Sequence, residues 1–346
     1  MHGGDIYRND VEMDFSVNIN PLGMPEEIKE ALTEAVKKCT CYPDLYSEEL
    51  REKIGVMTGA DPKKIICGNG ASELFVAVVR AVKPKTVLLL GPSFCGYQAA
   101  VEAVNAKIIY YDCKEKDDFA LTDEILPYLT EKIDLFFLAN PNNPVGNCVD
   151  EDLLLRIMEK CKEKKITLVL DECFIEFTED EKRRTMFLKT KEYSNLIVVR
   201  AFTKIFAMPG VRLGYLTCSD EMLSKKIRSQ LPEWNISVLA QEAGKAATEL
   251  SDYLKETIKF TKVERNYLVD ELSKIGLKTY KGEANFILFY CDNPKIKELK
   301  NQGILIRDCS DFEGLEEGYY RIAVKTRKEN EKLIKTMKEV VRWKDL

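Results

Sequence analysis

The sequence predicts an α/β protein built around a mostly parallel sheet. Between about residue 40 and residue 245, helical patterns alternate with short apolar runs, and this alternation is typical of parallel strands covered by helices on both faces. Several of the runs end abruptly in carboxylate, amide or glycine residues, at the edge where open α/β sheets bind ligands. With 346 residues, the chain is long enough for one large core and a second, smaller one.

The elements can be placed in chain order from these patterns. A polar arm of about 24 residues precedes a helix that is predicted to begin after Pro25, where Glu26 and Glu27 suit a helix N-terminus. A short strand is expected from Ile65, and further strands are expected at 86–90, 107–111, 135–138, 167–170, 196–199 and 214–217. A long helix at about 240–275 is expected to lead into a small α+β domain with strands near 285–290, 304–307 and 320–324.

These elements divide the chain into three parts. Residues 1–39 form an arm and a helix that we expect to pack on the small domain, over the mouth of the site. Residues 40–245 form the large domain, and residues 246–346 form the small domain. No internal repeat and no low-complexity stretch interrupts this division.

Composition narrows the class of protein. A net charge of -5 provides no basic field for nucleic acid, so an anionic substrate must meet a local cationic site. Neither a signal peptide nor an apolar segment of membrane-spanning length is recognisable, and we expect a cytoplasmic protein with no membrane partner. The eleven cysteines are scattered and are expected to be reduced. With one histidine in the chain, the Cys39 and Cys41 pair does not predict a metal site.

Lys204 lies directly behind the apolar run 196–199 and is the first candidate for a reactive group. A lysine at a strand end becomes a nucleophile when apolar neighbours and a second cation, here Arg212, disfavour its ammonium form. The neutral amine could then form a Schiff base with an aldehyde, which points to pyridoxal phosphate. The alternative is an ordinary surface lysine in a strand-to-helix loop.

Asp171 ends the apolar run 166–170, which is typical of a buried parallel strand. A carboxylate at that strand end could keep a pyridine nitrogen protonated and so make the ring an electron sink. The alternative role is a helix N-cap after the strand. Glu172 is the weaker partner for a ring nitrogen, because we expect its side chain to be turned away from the site.

Asn143 follows another apolar strand and could donate its amide to a phenolate oxygen on the same cofactor ring. The Asn-Pro pairs around it also initiate turns, so turn formation alone is the alternative. Gly68 and Gly70 precede an apolar helix, and the first amides of that helix, at Ala71 and Ser72, can form a cradle for a phosphate group. Arg212 could add a forked, permanently charged partner for that phosphate.

Taken together, an ordered set of residues resembles the class I and II aminotransferase group of fold-type I pyridoxal-phosphate enzymes: Gly68, Asn69, Gly70, Asn143, Pro144, Asp171, Lys204 and Arg212. The resemblance runs over nearly the whole chain. It implies pyridoxal 5'-phosphate as cofactor and a large domain with a mostly parallel seven-stranded sheet beside a smaller α+β domain. It also implies that Phe94 stacks on the pyridine ring, although a core phenylalanine under a loop is the alternative, and that Thr203 contacts the cofactor.

The resemblance further implies a homodimer with shared active sites. Tyr42 corresponds to a tyrosine that reaches the cofactor phosphate of the neighbouring subunit, so a two-fold dimer is expected. Arg321 corresponds to the arginine that clamps the substrate carboxylate. These roles are carried over from the family and are not worked out from spacing.

Within the group, the chain resembles a branch that contains histidinol-phosphate aminotransferases and the threonine-phosphate decarboxylases of cobalamin biosynthesis. Its opening His-Gly-Gly, from His2, and its segment Asp-Phe-Ser-Val-Asn-Ile-Asn-Pro-Leu-Gly, from Asp14, are similar to the start of the decarboxylases. Phe174 stands where most aminotransferases of the group have a tyrosine, and the decarboxylases likewise have phenylalanine. Lys325 stands where the family pattern has arginine.

Three functions are therefore weighed. The first is decarboxylation of O-phosphothreonine or O-phosphoserine, a small phosphorylated amino acid, with His2, Asn20, Asn143 and Arg321 as substrate contacts and Arg8 and Arg327 as further candidates for its phosphate. The second is transamination of histidinol phosphate or a related substrate. The third is a non-catalytic binding module, against which the complete set of Lys204, Asp171 and Arg212 argues. The first two functions differ in which bond of the substrate α-carbon stands perpendicular to the cofactor ring, and the sequence leaves that choice open.

Overall fold

The structure is a computed structural model that describes residues 3–340, apart from the side chains of residues 182 and 183. In this range the strands are β1 (Met13–Asp14), β2 (Ile65–Gly68), β3 (Thr86–Gly91), β4 (Lys107–Asp112), β5 (Leu135–Ala139), β6 (Thr167–Asp171), β7 (Leu196–Ala201), β8 (Gly214–Cys218), β9 (Lys278–Thr279), β10 (Phe286–Tyr290), β11 (Ile304–Leu305), β12 (Arg307–Asp308) and β13 (Tyr319–Ala323).

The helices of the same range alternate with these strands. They are α1 (Glu26–Val36), α2 (Glu48–Thr58), α3 (Ala71–Val82), α4 (Cys95–Glu102), α5 (Glu151–Glu163), α6 (Glu181–Arg184), α7 (Phe202–Ile205), α8 (Glu221–Arg228), α9 (Val238–Ala247), α10 (Ser251–Lys274) and α11 (Arg327–Val340). Helix α1 begins directly after Pro25, as predicted, with Glu26 and Glu27 in its first turn. None of the helices between residues 3 and 340 combines the length and apolar character that crossing a bilayer requires.

The large sheet has seven strands in the order β2-β8-β7-β6-β5-β3-β4. Every neighbouring pair is parallel except the two that involve β8, which runs antiparallel to β2 and to β7. The predicted mostly parallel sheet is therefore confirmed. Because β5, β6 and β7 lie side by side and run the same way, the segments that follow them meet at one edge.

Both faces of this sheet are covered by apolar side chains. Along β5, Leu135 and Phe137 belong to one core cluster, whereas Phe136 and Leu138 belong to another. This alternation is the period-two pattern of a strand buried on both sides. Helix α3 contributes to the first cluster and helix α5 to the second, which rigidly supports the strand ends that carry the site.

The small domain is built on an antiparallel sheet in the order β12-β13-β10-β9, with its own apolar cluster between that sheet and helices α10 and α11. The arm joins it through β1, which pairs in parallel with β11. Helix α1 instead packs against α9, within the range expected for the large domain, so the expected packing of this helix on the small domain is corrected. The domain limits at residues 39 and 245 remain a proposal.

The single long helix expected at 240–275 is wrong. Two helices, α9 and α10, occupy this range, and the chain leaves the helical conformation at Leu250, where φ is -93° and ψ is 50°. No glycine or proline marks the break, so the sequence pattern alone reads as continuous.

Candidate active site

A cavity of about 220 Å³ lies at the carboxyl ends of β5, β6 and β7. All three parts of the chain contribute to its wall. The arm supplies Gly3, Ser16, Val17 and Asn18; the small domain supplies Arg307, Phe312 and Arg321; and the large domain supplies Ala71, Ser72, Phe75, Phe94, Cys95, Tyr97, Ala139, Pro141, Asn143, Asp171, Cys173, Phe174, Ala201, Thr203, Lys204 and Arg212. The cavity thus contains most of the residues that the sequence singled out.

Lys204 lies in the one-turn helix α7, directly after β7, and its amine faces the cavity. Burial is the main cause that lowers the pKa of this amine to about 8, and the positive charges of Arg321 and then Arg212 lower it further. The sequence suggested Arg212 as the second cation, and Arg212 lowers the pKa of Lys204 less than Arg321 does. A neutral amine is accessible near physiological pH, as a nucleophile requires.

Asp171 is the last residue of β6 and is buried in the cavity wall. One carboxylate oxygen accepts a hydrogen bond from the backbone N–H of Cys173 at 2.9 Å, and the other accepts one from the hydroxyl of Tyr97. Burial raises the pKa of the Asp171 carboxyl, and hydrogen bonds from the Cys173 side chain, from Tyr97 and from the Cys173 backbone oppose the rise. The hydrogen bond from the Cys173 backbone is the contact that a helix N-cap would make, and it uses only one of the two carboxylate oxygens of Asp171.

Glu172 is turned away from the cavity, as expected, into a buried ionic cluster. Its carboxylate is paired with Arg200 at 2.9 Å and accepts hydrogen bonds from Thr185 and from the backbone of Met186. Arg200 also contacts Glu181 at 2.8 Å. Since Glu172 directly follows Asp171, this cluster, which lies outside the cavity wall, holds the end of β6 in place.

The N-terminus of helix α3 forms a cradle for an anion. Gly70 precedes the helix with φ of 78° and has no side chain that could cap it, and within the described residues the amides of Ala71 and Ser72 have no acceptor, which leaves them available to a ligand. A Cβ on Gly70 would lie 2.6 Å from Nη2 of Arg212, which shows how closely that guanidinium approaches. Thr203 lies beside them in the cavity wall, and its hydroxyl donates to the carbonyl of Leu213 at 3.5 Å.

Phe94 and Phe174 supply aromatic surface to the cavity. Phe94 immediately precedes helix α4, and its ring meets the ring of Tyr97 edge to face at 5.5 Å between centroids. Phe174 packs edge to face against Phe286 of the small domain at 5.0 Å. Phe94 therefore has a ring available to stack on a planar ligand, the role that the resemblance implies.

Arg321 and Asn143 meet across the boundary between the domains. Nη1 of Arg321 donates to Oδ1 of Asn143, and Nη2 donates to the backbone carbonyl of Ser16 at 2.8 Å. The third donor, Nε, is buried and has no hydrogen-bond partner within the described residues. An unsatisfied buried donor of this kind suits a carboxylate ligand.

The sequence interpretation missed several residues of the cavity wall, among them Arg307 and Asn18. Arg307 is buried and donates through Nη2 to Asp311 at 2.7 Å, while its strand partner across β12 and β13 is Arg321. Asn18 is also buried, and its Oδ1 has no hydrogen-bond partner within the described residues. Arg307 could have been found by pairing the predicted strand that ends in Arg307 with the predicted strand that carries Arg321. No sequence signal distinguished Asn18 from Asn20.

The expected contact between Asn20 and the substrate needs correcting. Asn20 is not part of the cavity wall, because its amide nitrogen donates to the carbonyl of Ile205 at 2.7 Å and to the hydroxyl of Thr257 at 2.8 Å. Its backbone N–H donates to the carbonyl of Lys204 at 3.1 Å. Asn20 thus ties the arm to helix α7 and helix α10, and Asn18 takes its place in the wall.

The remaining candidates lie elsewhere. His2 is outside the described residues. Arg8 is exposed beside Asp5, Arg327 is paired with Glu264, and Lys325 lies 3.8 Å from Glu329, so none of these three basic residues is part of the cavity wall. Tyr42 is also outside the cavity of its own chain. Its ring is 80% exposed and lies 4.7 Å from the ring of Trp234.

Comparison with known proteins agrees with this geometry. The family model for aminotransferase class I and II matches residues 10–337. A threonine-phosphate decarboxylase from Salmonella typhimurium is 35% identical over 98% of this chain and 96% of its own length. A bifunctional adenosylcobalamin biosynthesis protein from Leptospira interrogans is 34% identical over 93% of this chain, which corresponds to 38% of that longer protein.

A solved structure is also similar over the whole fold. The histidinol-phosphate aminotransferase from Clostridium acetobutylicum superimposes with a TM-score of 0.89 and 30% identity, covering 95% of this chain and 99% of its own. The relative from Salmonella typhimurium is named a decarboxylase, whereas the one from Clostridium acetobutylicum is named an aminotransferase. Membership of the family therefore does not decide between the two reactions, and the reaction must be argued from finer points of the cavity.

Proposed function

This chain belongs to the class I and II aminotransferase family, whose enzymes depend on pyridoxal 5'-phosphate, and we propose that it decarboxylates a small phosphorylated amino acid. O-Phosphothreonine is the proposed substrate, with O-phosphoserine as a variant, and the product is an aminoalkyl phosphate for the cobalamin side chain. The observation that carries the proposal is the full-length similarity to the threonine-phosphate decarboxylase.

The residues in the cavity fit the cofactor. The uncapped start of α3 at Ala71 and Ser72, together with Arg212, matches a phosphate group. Asp171 offers a buried carboxylate for a ring nitrogen, and Lys204 offers an amine of lowered pKa for an aldehyde. We further propose that Gly70, Phe94, Asn143 and Thr203 complete the cofactor site, with Tyr42 supplied by a partner subunit.

When bound, the cofactor withdraws electrons from the bonds of the substrate α-carbon. The residues of the chain then decide which bond breaks and where the proton goes. Lys204, once its amine is free again, is positioned to return a proton to the α-carbon as a general acid. Arg321 and Asn143 hold the carboxylate, so their placement sets which substituent stands perpendicular to the ring.

A phosphorylated substrate needs a second cationic group besides the carboxylate clamp. Arg307 and Arg321 provide two guanidinium groups in one wall, and both are buried. Gly3, Ser16 and Asn18 of the arm close the same side of the cavity. This arrangement supports recognition of a dianionic phosphate and a carboxylate in one small molecule, because each of the two cations can pair with one anionic group.

Transamination of histidinol phosphate is the second candidate. The similarity to the Clostridium acetobutylicum aminotransferase favours it, and both substrates carry a phosphate. Phe174 favours decarboxylation, because it lacks the hydroxyl that could donate to the cofactor oxygen. The arm motif that begins at Asp14 also favours decarboxylation, since the resemblance links that motif with the decarboxylases.

A homodimer with shared active sites is part of the proposal. Tyr42, Tyr46 and Trp234 expose 80%, 69% and 40% of their surface, and they stand beside the start of α2 and before α9. Exposed aromatic groups that lie together are typical of an interface with a second chain. We also propose that the enzyme works in the cytoplasm, where reduced cysteines are stable.

The proposal is tested by comparing substrates on the holoenzyme. O-Phosphothreonine should give carbon dioxide and an aminopropanol phosphate with a kcat/KM well above that for histidinol phosphate plus 2-oxoglutarate. Threonine without its phosphate serves as the matched control for the cationic wall. A higher kcat/KM for histidinol phosphate, with glutamate as product, would instead establish the aminotransferase.

A further inference from the structure

Tyr97 is a buried residue of the cavity wall for which the proposed function has no role. It lies in the first turn of helix α4, and its hydroxyl donates to the carboxylate of Asp171, 74 positions further along the chain. The other oxygen of the same carboxylate is held by the backbone N–H of Cys173. The side chain of Cys173 adds a further hydrogen bond to this carboxylate, so both oxygens of Asp171 are held by donors within the described residues.

The ring of Tyr97 is fixed by packing that does not involve its hydroxyl. It stacks on Phe137 with centroids 5.0 Å apart and planes inclined by 10°, and it meets Phe75 edge to face at 5.0 Å. The ring of the donor Tyr97 packs on Phe137 of β5, and the acceptor Asp171 ends the neighbouring strand β6. Two adjacent strands therefore fix the relative positions of donor and acceptor. A phenylalanine at position 97 could keep all of these ring contacts.

The hydroxyl of Tyr97 is a permanent donor. Burial, and then the negative charge of Asp171, raise the pKa of Tyr97 well above its usual value, so the proton stays on the phenol. A hydrogen bond to a charged acceptor stabilises the charged form of that acceptor. The hydroxyl therefore counteracts the effect of burial on Asp171, which otherwise favours a neutral carboxyl.

We propose that Tyr97 is a positioning residue for Asp171, whose hydroxyl keeps the Asp171 carboxylate anionic and in one orientation, as a protonated pyridine nitrogen requires. The inference rests on the proposed cofactor, but not on the choice between decarboxylation and transamination. Its energetic signature is a coupling between positions 97 and 171, since the hydroxyl has nothing to stabilise once the carboxylate is removed.

A double-mutant cycle tests this coupling. Tyr97→Phe, Asp171→Asn and the double variant are compared as holoenzymes in kcat and in the pH dependence of the visible absorption of the bound cofactor. With Asp171 present, Tyr97→Phe should lower kcat by about 10- to 100-fold and displace the absorption titration. With Asn at position 171, the same change should alter kcat by less than about 2-fold and leave the spectrum unchanged.

Tyr111→Phe is the matched control. Tyr111 is a buried tyrosine whose hydroxyl lies 3.3 Å from that of Thr122, outside the cavity wall, so its variant should leave kcat and the spectrum unchanged. Equal effects of Tyr97→Phe in both backgrounds, or no effect in either, would overturn the proposal. Failure of the proposed function looks different, because the unaltered protein would then release no carbon dioxide while the absorption cycle could still be measured.

Discussion

Arg307 and Arg321 stand directly opposite each other across the antiparallel pair β12 and β13. Side chains at directly opposed positions of an antiparallel pair emerge on the same face of the sheet, and both guanidinium groups line the cavity. Two buried cations at one wall repel each other, and burial is the main cause that lowers the pKa of Arg321 to about 10. Asp311 offsets the charge of Arg307, and an anionic ligand would stabilise the pair further, so we propose this wall as the specificity element of the site.

Replacement of Arg307 tests the specificity of this wall. Arg307→Lys keeps the charge but loses the fork, so we expect kcat/KM for O-phosphothreonine to fall by about 10- to 100-fold, mainly through KM, with cofactor affinity unchanged. Steady-state kinetics with cofactor titration measure both quantities. Arg156→Lys is the control, because Arg156 forms a forked pair with Asp123 on the surface. An unaltered KM in Arg307→Lys would remove Arg307 from substrate recognition.

The pH dependence of cofactor capture tests the state of Lys204. The pKa of this amine is about 8, so its reactive neutral form is lost below that pH and predominates above it. The rate at which the cofactor-free protein captures pyridoxal phosphate, followed by stopped-flow absorbance, should therefore rise through pH 8.

Arg321→Gln provides the second arm of that experiment. The positive charge of Arg321 destabilises the ammonium form of Lys204. Without that charge the pKa of Lys204 should rise, and the midpoint of capture should move to higher pH. Arg156→Gln, at the surface, should leave the midpoint where it is. A midpoint near 10 in the unaltered protein, or one that ignores Arg321, contradicts the electrostatic account.

The buried cluster behind Asp171 should be important for stability. Arg200→Met leaves the carboxylate of Glu172 buried without its cation, and removal of one partner of a buried pair costs about 3–5 kcal/mol. Urea unfolding of the cofactor-free protein should show this loss. Arg156→Met breaks an exposed pair and should cost less than about 1 kcal/mol. Equal losses in the two variants would show that the cluster does not anchor β6.

Sequence patterns predicted the sheet, and they predicted that Lys204, Asp171 and Asn143 would lie at one edge of it, for a physical reason. Lys204, Asp171 and Asn143 each follow an apolar strand, and parallel strands bring such positions to one edge whatever the loop details. The break between α9 and α10 was missed because no glycine or proline stands at Leu250, and Ser251 and Asp252, which are typical of helix starts, are a weaker signal.

The substrate side was harder to predict because it depends on contacts between distant segments. Asn18 and Asn20 are chemically identical and two positions apart, yet Asn18 lines the cavity while Asn20 is held by Ile205 and Thr257. Arg307 enters the site only because β12 pairs with β13. Neither outcome is encoded in local periodicity.

Mixing two inactive variants tests the shared site. If Tyr42 serves the neighbouring subunit, Lys204→Ala and Tyr42→Ala homodimers each have two defective sites, whereas a mixed dimer has one site with both residues intact. Co-expression should therefore restore about a quarter of the unaltered activity, since about half of the dimers are mixed and half of their sites are complete. The proportion of mixed dimers can be counted by native mass spectrometry. Mixed dimers without any recovered activity would exclude the shared site.

In the proposed reaction, the bond between the α-carbon and the carboxyl carbon of the substrate breaks. The most direct test of this step is a single turnover with excess holoenzyme and O-phosphothreonine labelled in the carboxyl carbon, in which released carbon dioxide, keto acid and pyridoxamine phosphate are measured together. We predict that one equivalent of carbon dioxide forms while the cofactor stays in its aldehyde form. Stoichiometric keto acid and pyridoxamine phosphate, with no carbon dioxide, would contradict the decarboxylase account.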